Sequence, residues 1–180
     1  KESPKVELIE KIADECYMPF SVGGGIKTLE SIKLILSAGA EKVCINTAIY
    51  DNLSLISEAS NYFGSQSIVA SIDVRKNWFG KYVCYSNSGT VKRSHDVASF
   101  CREIENQGCG EILLTNIDYE GKRIGFDIQL YNIVGKDLKV PLIANGGAGN
   151  LNDIKNVIKG SPASAAAASS FFTSPFKKTD

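Results

Sequence analysis

The chain has 180 residues, of which 43% are hydrophobic and 22% are charged, and its twenty basic side chains balance its twenty acidic ones. This composition predicts one globular domain with a real core over residues 1–180. The even charge balance gives no reason to expect a nucleic acid or an anionic membrane as partner. No apolar run reaches the ~18 residues of a membrane span, and the N-terminus has no signal-peptide pattern.

The cysteine and histidine content argues against metal and disulfide chemistry. The cysteines, which are odd in number and never form a C-x-x-C pair, stand at positions 16, 44, 84, 101 and 109. They are typical of buried or half-buried thiols in a reducing cytosol, so we expect a cytoplasmic protein without a zinc site. The single histidine argues against a His-rich metal site and against most Ser-His chemistry.

Helical and strand patterns alternate along the chain. In order, we predict a helix over 5–16, a strand over 18–22, a helix after Thr28, a strand over 41–46, a helix over 51–63, a strand over 67–74, a hairpin excursion over 82–89, a helix over 95–108, a strand over 111–118, a helix over 127–134, a strand over 140–145, a helix after Asn150 and a weak strand over 164–169. Such alternation predicts a parallel sheet with right-handed crossovers.

One strand-turn-helix segment occurs twice in the sequence. The segment PFSVGGGIKTLESIKLILSAGA, over 19–40, aligns without gaps with PLIANGGAGNLNDIKNVIKGSP, over 141–162, at a constant offset of 122 residues. Each copy has a short apolar run, two or three glycines and an amphipathic stretch, with Thr28 or Asn150 where an N-cap belongs. The sequence thus predicts a duplicated βα unit.

The spacing of the two copies favours a (β/α)8 barrel. Four βα steps separate them, and two halves of four units make eight. Only six strands are predicted, so we expect a partial barrel in which the first two strands and the last helix are missing. A doubly wound open sheet is the rival, because it accounts for six strands without missing residues, although an internal duplication of this length is not expected of it.

Small, polar or acidic residues follow the predicted strands, where a parallel barrel builds its site. They are Gly24, Gly25, Asn46, Thr47, Asp73, Thr115, Asp118, Glu120, Gly121, Asn145, Gly146, Gly147, Ser169 and Ser170. Glycines before a helix let backbone N–H groups approach an anion that the helix dipole also favours. The duplication therefore predicts two phosphate sites on opposite sides of one mouth, with Asp73 as a general acid or base.

Each of these residues also has a plain structural interpretation. The glycine pairs could simply make tight turns, Asp73 could be a salt-bridged residue, and Asp118 and Glu120 could hold their own loop together. Lys42 and Glu111 stand at the starts of their strands, at the other end of the barrel from these residues, and could form a structural ion pair. We expect His95 to lie on the surface and Trp78 to pack within the hairpin.

Four motifs together resemble one family. FSVGGGIKTLESIKLILSAGAEKVCINTA, SIDVRK, GCGEILLTNIDYEGKRIGFD and IANGGAGNL resemble, in order, the HisF-type cyclase subunit of imidazole glycerol phosphate synthase, and the likeness covers about 6–172. The resemblance implies a barrel that takes ammonia from a glutaminase partner of the HisH type and adds it to a bisphosphorylated aminoimidazole ribonucleotide, PRFAR. The products would be imidazole glycerol phosphate and AICAR, with no metal or organic cofactor.

The resemblance also implies residue roles. Asp73 matches one of two catalytic aspartates. One substrate phosphate would be held by Gly25, Asn46 and Thr47, and the other by Gly121, Gly147 and Ser170. Lys42 and Glu111 match a charged gate on the N-terminal face, where ammonia enters and the glutaminase binds.

The chain departs from the family pattern in three respects. The other catalytic aspartate belongs on the missing first strand, so the partial chain alone is expected to be inactive. Glu120 stands where the family commonly has Asp. The stretch KNWFGKYVCYSNSG, over 76–89, is more similar to a branch associated with surface-polysaccharide, including lipopolysaccharide, biosynthesis.

Three functions therefore stay open at this point. The first is the cyclase of histidine biosynthesis, or its counterpart that delivers ammonia to a sugar derivative. The second is a non-catalytic barrel that activates a glutaminase or only binds a bisphosphate. The third is a related phosphate-binding barrel isomerase, which the combination of SIDVRK with GEILLTNID disfavours.

Overall fold

Helices and strands alternate through the computed structural model, which describes residues 4–173. The helices are α1 (Val6–Glu15), α2 (Leu29–Ser37), α3 (Ala48–Asp51), α4 (Ser54–Phe63), α5 (Val97–Asn106), α6 (Ile128–Gly135), α7 (Leu151–Gly160) and α8 (Ser170–Thr173). The strands are β1 (Ser21–Gly23), β2 (Lys42–Ile45), β3 (Ile68–Lys76), β4 (Tyr82–Ser86), β5 (Val91–Lys92), β6 (Glu111–Asn116), β7 (Leu142–Asn145) and β8 (Ala165–Ala167). The predicted order of elements is confirmed.

Six of the strands form one parallel sheet in chain order. The spatial order is β1-β2-β3-β6-β7-β8, and every neighbouring pair on this path is parallel. A doubly wound sheet reverses its strand order at a switch point, whereas this sheet never does. The fold is therefore a partial (β/α)8 barrel, and the doubly wound alternative is wrong.

Side chains along the central strands alternate between two environments, as the pleat of a strand requires. On β3 the even-numbered residues from Ile68 to Val74 are fully buried, whereas Ser71 and Asp73 are half-buried. The even-numbered face carries the apolar side chains that pack beneath the helices. The odd-numbered face lines the barrel interior, and it bears the polar groups of the site.

The two copies of the repeated segment, 19–40 and 141–162, have the same kind of helix cap and the same kind of turn. Thr28 and Asn150 each cap their helix through a reciprocal capping box, with Ser31 and Asp153 as the respective partners. Two glycines with positive φ precede each helix, at 104° and 71° for the first pair and 93° and 114° for the second. The predicted N-caps and βα turns are therefore confirmed.

The two glycine turns differ in their surroundings. A Cβ at Gly147 would lie 2.0 Å from the carbonyl oxygen of Gly125, whose N–H donates to the Gly147 carbonyl at 2.9 Å. A Cβ at Gly24 would meet no atom within 4 Å among the described residues. The second pair is thus needed for close packing of backbone on backbone, which is the plain structural interpretation of these glycines. At Gly24, by contrast, the turn is open.

The predicted excursion after β3 is an antiparallel hairpin. β4 pairs with β3 and with β5, and Tyr82 and Cys84 are buried. The prediction that Trp78 packs within this hairpin is wrong, because Trp78 is 97% exposed at the turn between β3 and β4. Asn77 closes that turn by accepting backbone N–H bonds from Phe79 and Lys81, so the Trp78 side chain is directed outward.

Two other predictions, the exposure of His95 and the burial of Cys16, need correction. His95 is half-buried rather than exposed, since its ring packs against Phe100 and Tyr50 at centroid distances of 4.4 and 5.6 Å. Cys16 is exposed, whereas the other cysteines are buried or half-buried as expected, and all five are free thiols.

No helix among residues 4–173 is long and apolar enough to cross a membrane.

The contrast between Gly24 and Gly147 predicts different costs for the same substitution. Both have φ above 100°, so either Ala variant carries a backbone penalty of about 1–3 kcal/mol. Gly147→Ala must also relieve the overlap with Gly125, which adds about 1–3 kcal/mol. Urea unfolding should therefore show the larger loss for Gly147→Ala, and equal losses would contradict the close packing described for the second turn.

Candidate functional site

The C-terminal ends of the parallel strands surround an open cavity of about 1010 Å³. Predicted site residues from five strands line this cavity, namely Gly24, Gly25, Asn46, Thr47, Asp73, Thr115, Glu120 and Asn145. The structure thus brings together most of the residues that the strand-end pattern selected.

The first glycine turn forms one wall of the cavity with the loop after β2. The Thr47 hydroxyl accepts a hydrogen bond from the N–H of Asn87 at 3.1 Å, so its own proton remains available for a ligand. The side-chain oxygen of Asn46 is buried and finds no hydrogen-bond partner within residues 4–173. Unsatisfied buried polar groups are uncommon and point to a functional or strained position.

Asp73 lies half-buried on β3, at the level of the other polar groups of the interior. The parallel register pairs Asp73 with Thr115, and Thr115 in turn with Asn145. The side-chain amide of Asn145 donates to the Thr115 hydroxyl at 3.1 Å. Asp73, Thr115 and Asn145 therefore form one polar layer across three neighbouring strands.

A second group of predicted residues lies beside the cavity, not on its wall. Gly146 and Gly147 are buried, Gly121 and Ser169 are exposed and Ser170 is half-buried. This group gathers the loops after β6, β7 and β8 at the same end of the sheet as the first glycine turn.

Arg123 joins two parts of this second group. It stands on the loop after β6 with a φ of 57°, and its guanidinium donates to the carbonyl oxygen of Ser170. A Cβ at Gly149 would lie 2.5 Å from the Arg123 carbonyl oxygen, so this loop also packs tightly against the loop after β7. The three loops of the second group are thus in contact.

The predicted ion pair lies at the opposite end of the barrel. Lys42 Nζ is 2.5 Å from Glu111 Oε1, and both side chains are about three-quarters buried, with exposures of 25% and 22%. The structure confirms this pair and places it at the N-terminal face. Cys44, two residues after Lys42, is half-buried and lines the cavity, and burial, followed by the nearby Glu111 carboxylate, raises the pKa of its thiol to about 11.

Several cavity residues escaped sequence reasoning. Ser71 shares the inner face of β3 with Asp73, and period-two alternation could have identified it. Lys27 brings an exposed cation beside the first glycine turn, and Asn87 and Ser88 reach the cavity from the hairpin turn. No local motif indicates Asn87 or Ser88, because their placement depends on how the hairpin folds back over α3.

No cluster of three or more His, Cys, Asp or Glu side chains within residues 4–173 is arranged to hold a metal ion. The carboxylate of Asp118 lies 2.8 Å from Arg75 Nε on β3, so it links its own loop to the neighbouring strand.

The chain is similar to known proteins over nearly its whole length. Residues 1–177 match the family described as histidine biosynthesis protein. A Pseudomonas aeruginosa protein provisionally named imidazole glycerol phosphate synthase subunit hisF2 is 43% identical over 171 residues, which is 95% of this chain and 68% of the relative.

Two further relatives carry the name imidazole glycerol phosphate synthase subunit HisF. The protein of Natranaerobius thermophilus is 43% identical over 93% of this chain and 66% of its own length. That of Hydrogenobaculum sp. is 39% identical over 99% of this chain and 70% of its own length. The chain thus spans about two thirds of the length of these curated relatives.

The burial of Cys44 predicts a difference in thiol reactivity. Iodoacetamide reacts with the thiolate, so a buried thiol of raised pKa reacts slowly near pH 8. We expect one fast-reacting cysteine in the folded chain, the exposed Cys16, and its loss in a Cys16→Ser variant. Mass spectrometry of the alkylated peptides checks this, and a Cys44 that reacts as fast as Cys16 would contradict the raised pKa of the half-buried Cys44 thiol.

Proposed function

The chain belongs to the histidine biosynthesis protein family and is of the HisF type, and from this premise we propose that it is the cyclase part of an imidazole glycerol phosphate synthase. The proposed reaction adds ammonia to PRFAR and yields imidazole glycerol phosphate and AICAR. The enzyme would be a lyase coupled to a glutaminase.

One observation supports this proposal above the others, namely the central position of Asp73. Its strand β3 lies two strands from β1 and two strands from β7, the strands that precede the glycine turns. With strands about 4.8 Å apart, the turns are separated by roughly 19 Å along the curved sheet. A substrate with a phosphate at each end would therefore place its middle near Asp73.

The environment of Asp73 fits a proton-transfer role. A carboxylate at the mouth can take a proton from the adding ammonia and return one to a leaving group. Thr115 and Asn145 beside it offer hydrogen bonds that orient the substrate. The second carboxylate of the family pattern lies outside this chain, so the full-length protein is the proposed catalyst.

The ion pair of Lys42 and Glu111 supports a route for ammonia through the barrel. Glu111 lies four residues below Thr115, which is level with Asp73, and this spacing corresponds to roughly 13 Å along the strand. We propose that ammonia enters past this pair from a glutaminase bound to the N-terminal face.

A second candidate is a HisF-like paralogue that adds ammonia to a sugar derivative in surface-polysaccharide biosynthesis. The hairpin favours this candidate, because Asn87 and Ser88 of this divergent segment line the cavity and would contact a substrate bound at Thr47. The name hisF2 of one relative fits a second protein of this type and names no sugar substrate. Both candidates share the phosphate sites and the role of Asp73, and they differ in the substrate that turns over.

Turnover of PRFAR by the full-length protein tests the proposal. With ammonium salt as the nitrogen source, the absorbance of PRFAR should fall, and Asp73→Asn should slow this by about 10²–10⁴-fold, the usual cost of losing a positioned acid or base. Asp14→Asn, the same change on an exposed face of α1, should be neutral.

The outcomes separate the candidates. No turnover of PRFAR at high enzyme concentration would remove the histidine-pathway function and leave the paralogue. Unchanged turnover in Asp73→Asn would contradict the catalytic role of Asp73 in either candidate.

A further inference from the structure

A buried carboxylate outside the cavity connects several elements of the site. Asp127 directly precedes α6 and is 6% exposed. The same oxygen, Oδ2, accepts hydrogen bonds from the Tyr82 hydroxyl at 2.8 Å and the Asn116 side-chain amide at 2.9 Å. Lys76 Nζ lies 3.8 Å away. Donors from β3, β4 and β6 thus converge on one charge.

Asp127 occupies the position of an N-cap but makes no side-chain cap bond to its own helix. Its hydrogen-bonding capacity is directed instead toward the sheet and the hairpin. Burial, followed by the hydrogen bond to Asp127, raises the pKa of Tyr82 above its usual range, so the phenol stays a donor. Removing a buried carboxylate that accepts from several donors is costly, because all of these donors lose their acceptor at the same time.

Asn116 passes this constraint to the loop after β6. Asn116 is 1% exposed at the end of the strand. A carboxylate only accepts hydrogen bonds, so Asp127 fixes which end of the Asn116 amide faces it. The side-chain oxygen is then turned toward the loop, where it accepts the N–H of Asp118 at 3.0 Å.

The loop that Asn116 holds carries predicted substrate contacts. Its first turn is fixed twice, by the Asp118 N–H on Asn116 and by the Asp118 carboxylate on Arg75. Glu120, two residues further on, lines the cavity, and Gly121 follows with a φ of 74° and open space around it. The orientation of Asn116 therefore bears on where these two residues lie.

We propose that Asp127 is a positioning residue for the second anion site, acting through Asn116 to hold the Asp118–Gly121 segment in its binding conformation. This inference rests on the proposed function, with the second substrate phosphate held by Gly121, Gly147 and Ser170 as the family resemblance implies. Through Tyr82, Asp127 also anchors the hairpin whose turn forms the opposite wall of the cavity.

The direct test is amide exchange measured by NMR on the full-length protein. In Asp127→Ala, Tyr82 and Asn116 both lose the oxygen that accepts their hydrogen bonds, and the Asn116 amide is free to turn over. Hydrogen exchange of the Asp118 amide should accelerate by at least about tenfold, because the Asp118 N–H loses its hydrogen bond to the Asn116 side chain. Amides of β1 and β2 should keep their rates.

A double substitution that swaps the two residues should restore the hydrogen bond between positions 116 and 127. In Asn116→Asp combined with Asp127→Asn, residue 127 donates to residue 116 and to the Tyr82 oxygen, and the carboxylate at 116 still accepts the Asp118 N–H. Protection of Asp118 should return to within about threefold of the wild type. Tyr82→Phe is the matched control, because it removes only the hairpin bond and should leave Asp118 protected.

Titration with inorganic phosphate distinguishes this inference from the proposed function. We expect the amide resonance of Gly121 to shift on phosphate binding, with about tenfold weaker binding in Asp127→Ala and recovery in the double variant. Altered Asp118 exchange without phosphate binding by the wild type would remove the proposed anion site and keep the positioning role. Wild-type exchange of the Asp118 amide in Asp127→Ala, or a folded double variant that fails to protect Asp118, would overturn the inference. Should Asp127→Ala unfold, the double variant decides alone.

Discussion

The parallel, sequential register of the sheet is the constraint on which the site depends. Because all six strands of the path point the same way, every strand-to-helix loop opens at one end of the barrel. The register then sets the depth of each polar group, and it places Asp73 level with Thr115 and Asn145. A slip of one residue in β3 would turn Asp73 to the helix-covered face and bury its charge among apolar side chains.

The two faces of the sheet divide the polar chemistry between them. The inner face carries groups that contact a ligand in the cavity, such as Ser71 and Asp73. The outer face is apolar except near its C-terminal edge, where Asn116 and Asp127 form a buried network. Polar groups on the outer face cannot reach the cavity, but they fix the loops whose backbone does.

Much of this arrangement could be predicted from the sequence because the relevant signals are local or repeated. The duplicated glycine turns and the caps at Thr28 and Asn150 depend on a few adjacent residues, and the structure contains them all. Alternating βα patterns and the offset between the copies were enough to indicate a partial (β/α)8 barrel. Asp73 stood out because a carboxylate ends an otherwise apolar strand.

The rest depends on contacts between distant segments. Asn116 ends an apolar strand pattern and Asp127 has the appearance of an N-cap, so neither suggests a buried network with Tyr82, which lies 45 positions before Asp127. Trp78 was misassigned because hydrophobicity alone does not reveal that a turn directs a side chain outward. His95 was misassigned because its burial depends on Tyr50 from a different βα unit.

The most direct measurement is a crystal structure of the full-length Asp73→Asn variant with PRFAR bound. We expect one phosphate at the wall formed by Gly25 and Thr47, the other at the loops of Gly121 and Gly147, and the reacting carbon about 3–4 Å from the side chain of residue 73. Both phosphates bound on one side of the barrel, or a reacting carbon remote from residue 73, would contradict the proposed site.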